Sequence, residues 1–291
     1  MTLTAVPGVR VGHWTHPDRI TGVTVVVPPR PNVCAAEVRG ASPGTRETAL
    51  LAPGMKVQEV HAITLSGGSA FGLATADGVV SALEADGIGY ETPIGVVPIV
   101  PGAILFDGSV ADPSLRPRPE HGAAAYAAAT SEPVVQGRVG AGAGATAAKW
   151  RGFDRRVPAG VGSVAVATPA GPLVAALAVV NAVGDVFSLE GESLTGGSAE
   201  PPLERVPIDP LQNTTLMVLA TDARLDRLEL QRLCVRAHDA LGACLRPGHT
   251  RYDGDVVFAL SCGDREGDPD ALGEAAFTAM GRAFAAAIRA S

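Results

Sequence analysis

The junction Asn213-Thr214-Thr215 joins a polar stretch to a continuous apolar run, TTLMVLATD (214–222). A hydroxyl at the head of such a run can act on its own backbone. Attack of the Thr214 hydroxyl on the Asn213 carbonyl would shift the acyl group from nitrogen to oxygen, and water could then release it. The product would begin with Thr214, whose α-amino group ordinarily has a pKa of about 7.7–8.0. An amine of that basicity beside a hydroxyl can serve as its general base. The same residues also fit a plainer reading, a strand start with Asn213 as turn residue, and local chemistry leaves both open.

Other residue types bear on the same chemistry. In RYDGD (251–255), Asp253 and Asp255 are two apart, so an extended segment puts both carboxylates on one face. Such a pair could hold an ammonium and orient a hydroxyl; a hairpin turn into the next strand is the alternative. Lys149 is one of only two lysines, with Lys56, in a chain with 21 arginines. It is either a solvated surface residue or a cation with a task. Asn181 ends the apolar run AALAVVN, where an amide either caps the strand or donates to a developing oxyanion. Gly140, Gly142 and Gly144 form a glycine-rich stretch that would let backbone N–H groups approach a substrate.

Three familiar signatures fail. Gly67-Gly68-Ser69-Ala70-Phe71 begins like a nucleophile elbow, but Phe71 stands where the closing glycine is required. The glycines at 140–144 fit the dinucleotide fingerprint only nominally, because TAAKWRGFDRR after them is not an amphipathic helix. His13 and His16 form the one close histidine pair, with no further ligand cluster at matching spacing, so neither a metal nor an organic cofactor is signalled.

Elements must position these residues, and the composition bounds them. The chain has 291 residues, 46% of them apolar and 18% charged, which excludes disorder and suffices for a sizeable core. Alanine and glycine together exceed a quarter of the chain while aromatics are 4%, so the core is expected to bring backbones close together. A net charge of −7 argues against nucleic-acid binding. No apolar run approaches a membrane span, and the start, MTLTAVPGVRVGHW, lacks signal-peptide features, so a cytoplasmic location is the expectation. Cys234 and Cys244 would lie about 15 Å apart on one helix at about 1.5 Å per residue, beyond disulfide reach, so free thiols are expected.

Strands are predicted at 22–27, 61–66, 214–222 and 255–262, with two more flanking Pro169-Ala170-Gly171. Helices are predicted from Ser69 to Gly87, over 121–130, from Asp226 to Leu245 and from Asp270 to Ala290. The third carries Leu230, Leu233, Cys234, Ala237 and Leu241 on one stripe, and Asp226 with Glu229 resembles a capping box. Alternating strands and helices indicate α/β or α+β layers. Residues 188–213 lack apolar periodicity and read as a long flexible loop ending at Asn213.

NTTLMVLATDARL (213–225) resembles the processing-site segment of the L-aminopeptidase/D-esterase family, which includes β-peptidyl aminopeptidases and 6-aminohexanoate-oligomer (nylon) hydrolases. PGVRVGHWT, ITLSGGSAFGLATADGV, PIVPGAILFD, GAGAGATAAKW, AVVNAVGDV and RYDGD follow in family order over nearly the whole chain. The resemblance implies a four-layer αββα sandwich of the N-terminal-nucleophile type. It also implies autocleavage at Asn213–Thr214 into an α chain of 1–213 and a β chain of 214–291, and assembly of several αβ units. Thr214 would be the nucleophile, Lys149 a site cation, Asn181 an oxyanion donor, and Asp253 and Asp255 the orienting carboxylates. The Asp/Asp pair with a threonine nucleophile is closer to the nylon-hydrolase branch. Phe106, where some members carry a tyrosine, falls on the substrate side. The implied activity is hydrolysis of short peptides, amino-acid amides or 6-aminohexanoate oligomers. Two rivals share the features: an acyltransferase of the ornithine acetyltransferase type, and an uncut binding protein.

Overall fold

A computed structural model describes residues 1–169, 171–198 and 213–291. Two five-stranded sheets lie face to face, each covered on its outer side by two helices, which gives four layers, αββα. The first sheet uses β1 (Arg10–Thr15), β2 (Gly22–Val27), β4 (Thr45–Arg46), β5 (Ile63–Ser66) and β6 (Gly102–Ile104), in the order β1-β2-β5-β6-β4. The second uses β3 (Val33–Val38), β7 (Val161–Ala167), β8 (Leu173–Asn181), β9 (Thr214–Ala223) and β10 (Val256–Arg265), in the order β7-β8-β9-β10-β3. Helices α1 (Thr75–Ala85) and α2 (Pro119–Ala127) pack on the first sheet, and α3 (Arg227–Cys244) and α4 (Pro269–Arg289) on the second.

The two halves repeat one topology. Antiparallel, antiparallel and parallel pairings run across β1-β2-β5-β6 and again across β7-β8-β9-β10. A helix crosses over between the parallel strands in each half, α1 in the first and α3 in the second. The edge strands β3 and β4 follow each other in sequence yet join opposite sheets.

Side-chain alternation builds the layers. On β9, Leu216 and Val218 enter the core between the sheets with Ile63, Leu65 and Phe258. Met217 and Leu219 face the helix side with Leu230, Leu233, Leu241, Met280 and Phe284. All ten residues of β9 are buried. The predicted stripe on α3 is buried throughout, and the Asp226–Glu229 capping box forms. The expected close approach of backbones is found at equivalent places in the two halves. A Cβ on Gly12 of β1 would lie 2.0 Å from the Ala125 carbonyl oxygen of α2, and one on Gly162 of β7 2.0 Å from that of Ala283 on α4.

Some expectations shift. The segment after β5 begins as a 3-10 helix, Ser69–Ala74, before α1. The second helix starts at Pro119, two residues early, because proline suits the first turn. Strands β1 and β3 were not predicted; both are made by pairing, β1 with β2 and β3 with β10. Of the expected 188–213 loop, 199–212 lie outside the described residues, as does Ala170 of the expected hairpin. Its first part is docked: Thr195 Oγ1 donates to the buried Asp185 carboxylate at 2.7 Å, and Arg151 donates to the Thr195 carbonyl at 2.6 Å. All four cysteines are free thiols. Among the described residues no helix is long and apolar enough to cross a membrane.

Arg227, the first residue of α3, ties the second sheet to the chain around it. Its guanidinium donates to the carbonyls of Cys34 (2.9 Å) and Val57 (2.7 Å), and to those of Leu50, Ala52, Met55 and Gln58. Cys34 lies on β3, the strand that pairs with β10. Replacing Arg227 by Met removes the buried guanidinium that these carbonyls share and is expected to cost on the order of 2–4 kcal/mol, read as a lowered denaturation midpoint.

Candidate active site

Thr214 opens β9, the central strand of the second sheet, and is buried together with Asn213. Its Oγ1 lies against the Asn213 carbonyl oxygen. The Asn213 side-chain amide has no hydrogen-bond partner among the described residues. Antiparallel pairing sets Asn181, the last residue of β8, directly opposite Thr214.

Asn181 gathers the neighbouring groups. Its Oδ1 accepts from Lys149 Nζ at 2.9 Å and from the Thr146 amide at 3.0 Å, and its Nδ2 donates to the Phe106 carbonyl at 2.9 Å. Lys149 Nζ also donates to the Asn181 carbonyl at 3.2 Å. Lys149 is 1% exposed, so it is no surface lysine. The chain turns it inward through Ala148, which takes a left-handed φ of 63°, while the amides of Ala148 and Trp150 bond to Gly184 and Val183 just after Asn181. Burial pulls the Lys149 ammonium down to about 7; the Asp253 carboxylate opposes that shift and Arg156 adds to it.

The two aspartates stand on the other side of Thr214. Asp255 Oδ1 accepts from the Thr215 amide at 2.7 Å, and its Oδ2 lies 2.8 Å from His249 Nδ1. Asp253 Oδ2 accepts from the Thr250 amide at 2.8 Å and its hydroxyl at 2.6 Å. Burial, and then the charge of Asp255, push the Asp253 carboxyl up to about 6. Gly254 is needed for space: a methyl there would lie 2.9 Å from Thr214 Oγ1 and 2.7 Å from the Ser42 carbonyl oxygen. The loop between β3 and β4 grips this segment, with Arg39 and Gly40 donating to the Asp255 carbonyl and Ser42 to that of Asp253.

Thr214, Asn213, Lys149, Asn181, Asp253 and Asp255 are therefore brought together from four separate stretches of chain. Phe106 joins them through its backbone carbonyl. The glycine-rich stretch does something different from the expected substrate cradle. The amides of Gly140 and Ala141 bond to the Thr15 and Thr24 hydroxyls, and that of Gly142 to the Val139 carbonyl. Cβ atoms on Gly142 and Gly144 would strike the backbones of Gly160 and Ile20. The amides of Gly140 and Gly142 are thus engaged inside the protein, and Gly142 and Gly144 let backbones pack closely.

His249, Thr146 and the 39–42 loop were not foreseen. His249 lies near RYDGD and Thr146 near the glycine stretch in sequence, whereas the 39–42 loop reaches the site only through the fold. Asp107 was also missed: its Oδ1 accepts from Gly68 N, Ser109 N and Ser109 Oγ, closing the failed nucleophile-elbow segment onto the residue after Phe106. Burial raises its pKa, ahead of the opposing bonds from Ser109, Thr21 and Gly68. His13, half of the sequence's histidine pair, lies 2.9 Å from Thr24 Oγ1, and burial lowers its pKa to about 4.

The profile of peptidase family S58 matches residues 2–291. An uncharacterised aminopeptidase of Mycobacterium leprae is 41% identical over 292 residues, covering 90% of this chain and 78% of that protein. A 6-aminohexanoate-oligomer endohydrolase of Kocuria sp. (strain KY2) is 30% identical over 270 residues, covering 88% and 73% respectively. Among solved structures, the L-aminopeptidase D-Ala-esterase/amidase of Ochrobactrum anthropi, described as a variant of the Ntn hydrolase fold, superposes with a TM-score of 0.78 at 20% identity. It covers 100% of this chain and 86% of that one.

The buried charges give stability a signature in pH. Asp253 binds its proton more tightly folded (about 6) than unfolded (3.8), so stability falls as pH rises through that window. Lys149 binds its proton more weakly folded (about 7) than unfolded (10.5), so stability rises from about pH 7 toward 10.5. Each limb has a slope of at most about 1.4 kcal/mol per pH unit. Denaturant titrations from pH 4 to 10 on an uncut Thr214→Ala chain should show a minimum between pH 6 and 7, with the upper limb lost in Lys149→Met.

Proposed function

Because this chain belongs to peptidase family S58, we propose that it is an amide-bond hydrolase that first cuts its own backbone between Asn213 and Thr214. The observation that carries the reading is the Thr214 hydroxyl lying against the Asn213 carbonyl, inside a buried cluster of one amine and two carboxylates.

In the uncut chain the Thr214 nitrogen is still an amide and cannot act as base. Lys149, with a pKa near 7, is the amine able to take the hydroxyl proton at neutral pH. Attack by Oγ1 on the Asn213 carbonyl carbon forms a tetrahedral centre; the C–N bond then breaks, and the nitrogen leaves as the new α-amine after taking a proton. Water hydrolyses the resulting ester, freeing the Asn213 carboxylate and a β chain that begins with Thr214.

The mature site repeats this chemistry on a substrate. The Thr214 amine takes the hydroxyl proton, Oγ1 attacks the substrate amide, and the proton passes to the departing amine. Lys149 and Asn181 would stabilise the negative charge that develops on the carbonyl oxygen. Asp253 and Asp255 hold the strand head and balance the new ammonium. Water then releases the acyl group.

The proposed substrates are short peptides or amino-acid amides with a free amino group and 6-aminohexanoate oligomers, a range supported by relatives named aminopeptidase and 6-aminohexanoate-oligomer endohydrolase. The Asp253/Asp255 pair beside a threonine favours the latter. The α and β parts, residues 1–213 and 214–291, stay together as one sandwich, because β8 and β9 pair along their length. A homo-oligomer of αβ units acting in the cytoplasm completes the reading.

Intact mass and N-terminal sequencing test it. Wild-type protein should give a second chain beginning Thr-Thr-Leu-Met, and Thr214→Ala should remain whole and inactive on aminoacyl amides and nylon oligomers. A wild-type chain that stays intact on long incubation would sink the proposal. The rate of self-cleavage should rise with pH to a plateau above about 7, and Lys149→Met should slow it by at least about 100-fold.

A further inference from the structure

Outside the groups already given a role, the strongest juxtaposition is at His249. It lies in the turn before RYDGD and takes a left-handed φ of 51°, a conformation that L side chains adopt at a cost. Such strain persists where the surrounding structure holds it, and here it delivers the ring to one place. His249 Nδ1 stands 2.8 Å from Asp255 Oδ2, and Asp255 is 2% exposed. A carboxylate only accepts, so Nδ1 carries the proton in this contact.

The other Asp255 oxygen accepts from the Thr215 amide at 2.7 Å, one residue past the hydroxyl of Thr214. A continuous chain of hydrogen bonds thus runs from the His249 ring through one carboxylate to the backbone of β9. The ring is braced by His238 of α3, edge-on at 4.9 Å between centroids, whose own Nε2 donates to the Glu37 carbonyl of β3 at 3.2 Å. Burial lowers the His238 pKa to about 4, so that neighbour stays neutral at ordinary pH. The ionisable groups in contact with the ring are Asp255 and His238.

We propose that His249 is a positioning residue for Thr214, fixing Asp255 so that Asp255 fixes the Thr215 amide and with it the head of β9. This rests on Thr214 being the nucleophile. Without the His249 donor, the Asp255 carboxylate can rotate away from Thr215, and Thr214 Oγ1 loses its alignment. The loss falls on the rate of the chemical step, because the hydrogen bonds that start at His249 end on the backbone beside Thr214.

Two substitutions separate the donor from the backbone. His249→Gly removes the ring while relieving the left-handed strain. His249→Asn keeps a donor at the Nδ1 position and tolerates that backbone. In the full-length chain, His249→Gly should slow self-cleavage and lower kcat by about tenfold, with KM within about twofold of wild type, and His249→Asn should recover most of the rate. A Gly variant at wild-type rate would overturn the proposal, as would equal losses in both variants with unchanged denaturation midpoints.

A second readout does not need activity. On a Thr214→Ala background, hydrogen exchange at the Thr215 amide should lose about tenfold protection in the Gly variant and not in the Asn variant. Unchanged protection in the Gly variant would overturn the proposal even if the enzyme cleaves itself. A chain that never cuts itself, yet shows the exchange effect, would sink the nucleophile reading and leave the His249–Asp255–Thr215 linkage standing.

Discussion

Everything at the site follows from burying the head of β9. The strand lies in the middle of the second sheet, with the first sheet on one face and α3 and α4 on the other, and all ten of its residues are out of solvent. Apolar residues from Leu216 onward gain from this. Asn213, Thr214 and Thr215 cannot, because a buried polar group without a partner costs about 1–3 kcal/mol. The fold brings polar groups from other elements to this point: Asn181 by strand pairing, Lys149 by an inward kink, and Asp255, just ahead of the parallel neighbour β10, which takes the Thr215 amide; the Asn213 side-chain amide and the Thr215 hydroxyl keep no partner among the described residues. The cluster is thus held in place by the same burial that makes it necessary.

Burial also sets the chemistry of the charges. A solvated lysine is a poor base at neutral pH because it stays protonated. Removing Lys149 from water disfavours its charged form and brings its pKa near 7, while Asp253 is pushed the other way to about 6. An amine and a carboxyl that ordinarily differ by more than six pKa units then titrate close together. Proton transfer between such groups and a hydroxyl becomes accessible without extremes of pH.

The internal repeat shows how local the specialisation is. The strand of the first half that corresponds to β9 is β5, which begins at Ile63; β2, which corresponds to β8, ends at Val27; and β6 is preceded by Val100 and Pro101 where β10 is preceded by Asp253-Gly254-Asp255. The same architecture therefore carries an apolar strand head in one half and a polar cluster in the other. Architecture provides the meeting point of three strand ends, and the side chains placed there differ between the two halves.

Periodicity and turn chemistry were enough to find four helices, most of the long strands and the α3 capping box, because those signals lie within single elements. The motif blocks also named Thr214, Lys149, Asn181, Asp253 and Asp255 as a group, although they lie as far apart in sequence as residues 149 and 255. Strands β1 and β3 are not among the predicted ones, because pairing partners, more than their own composition, make them strands. That the amides of Gly140 and Gly142 are engaged by Thr15 and Val139 is a fact of packing that no local pattern carries. His249 entered for the same reason: its ring meets Asp255 only through a left-handed turn braced by α3. The sequence by itself determined which residue types could react and which segments are helix or strand, since both depend on neighbours along the chain. Only the tertiary structure decided which groups meet, at what distance and with which pKa, because desolvation and hydrogen bonding are set by neighbours in space.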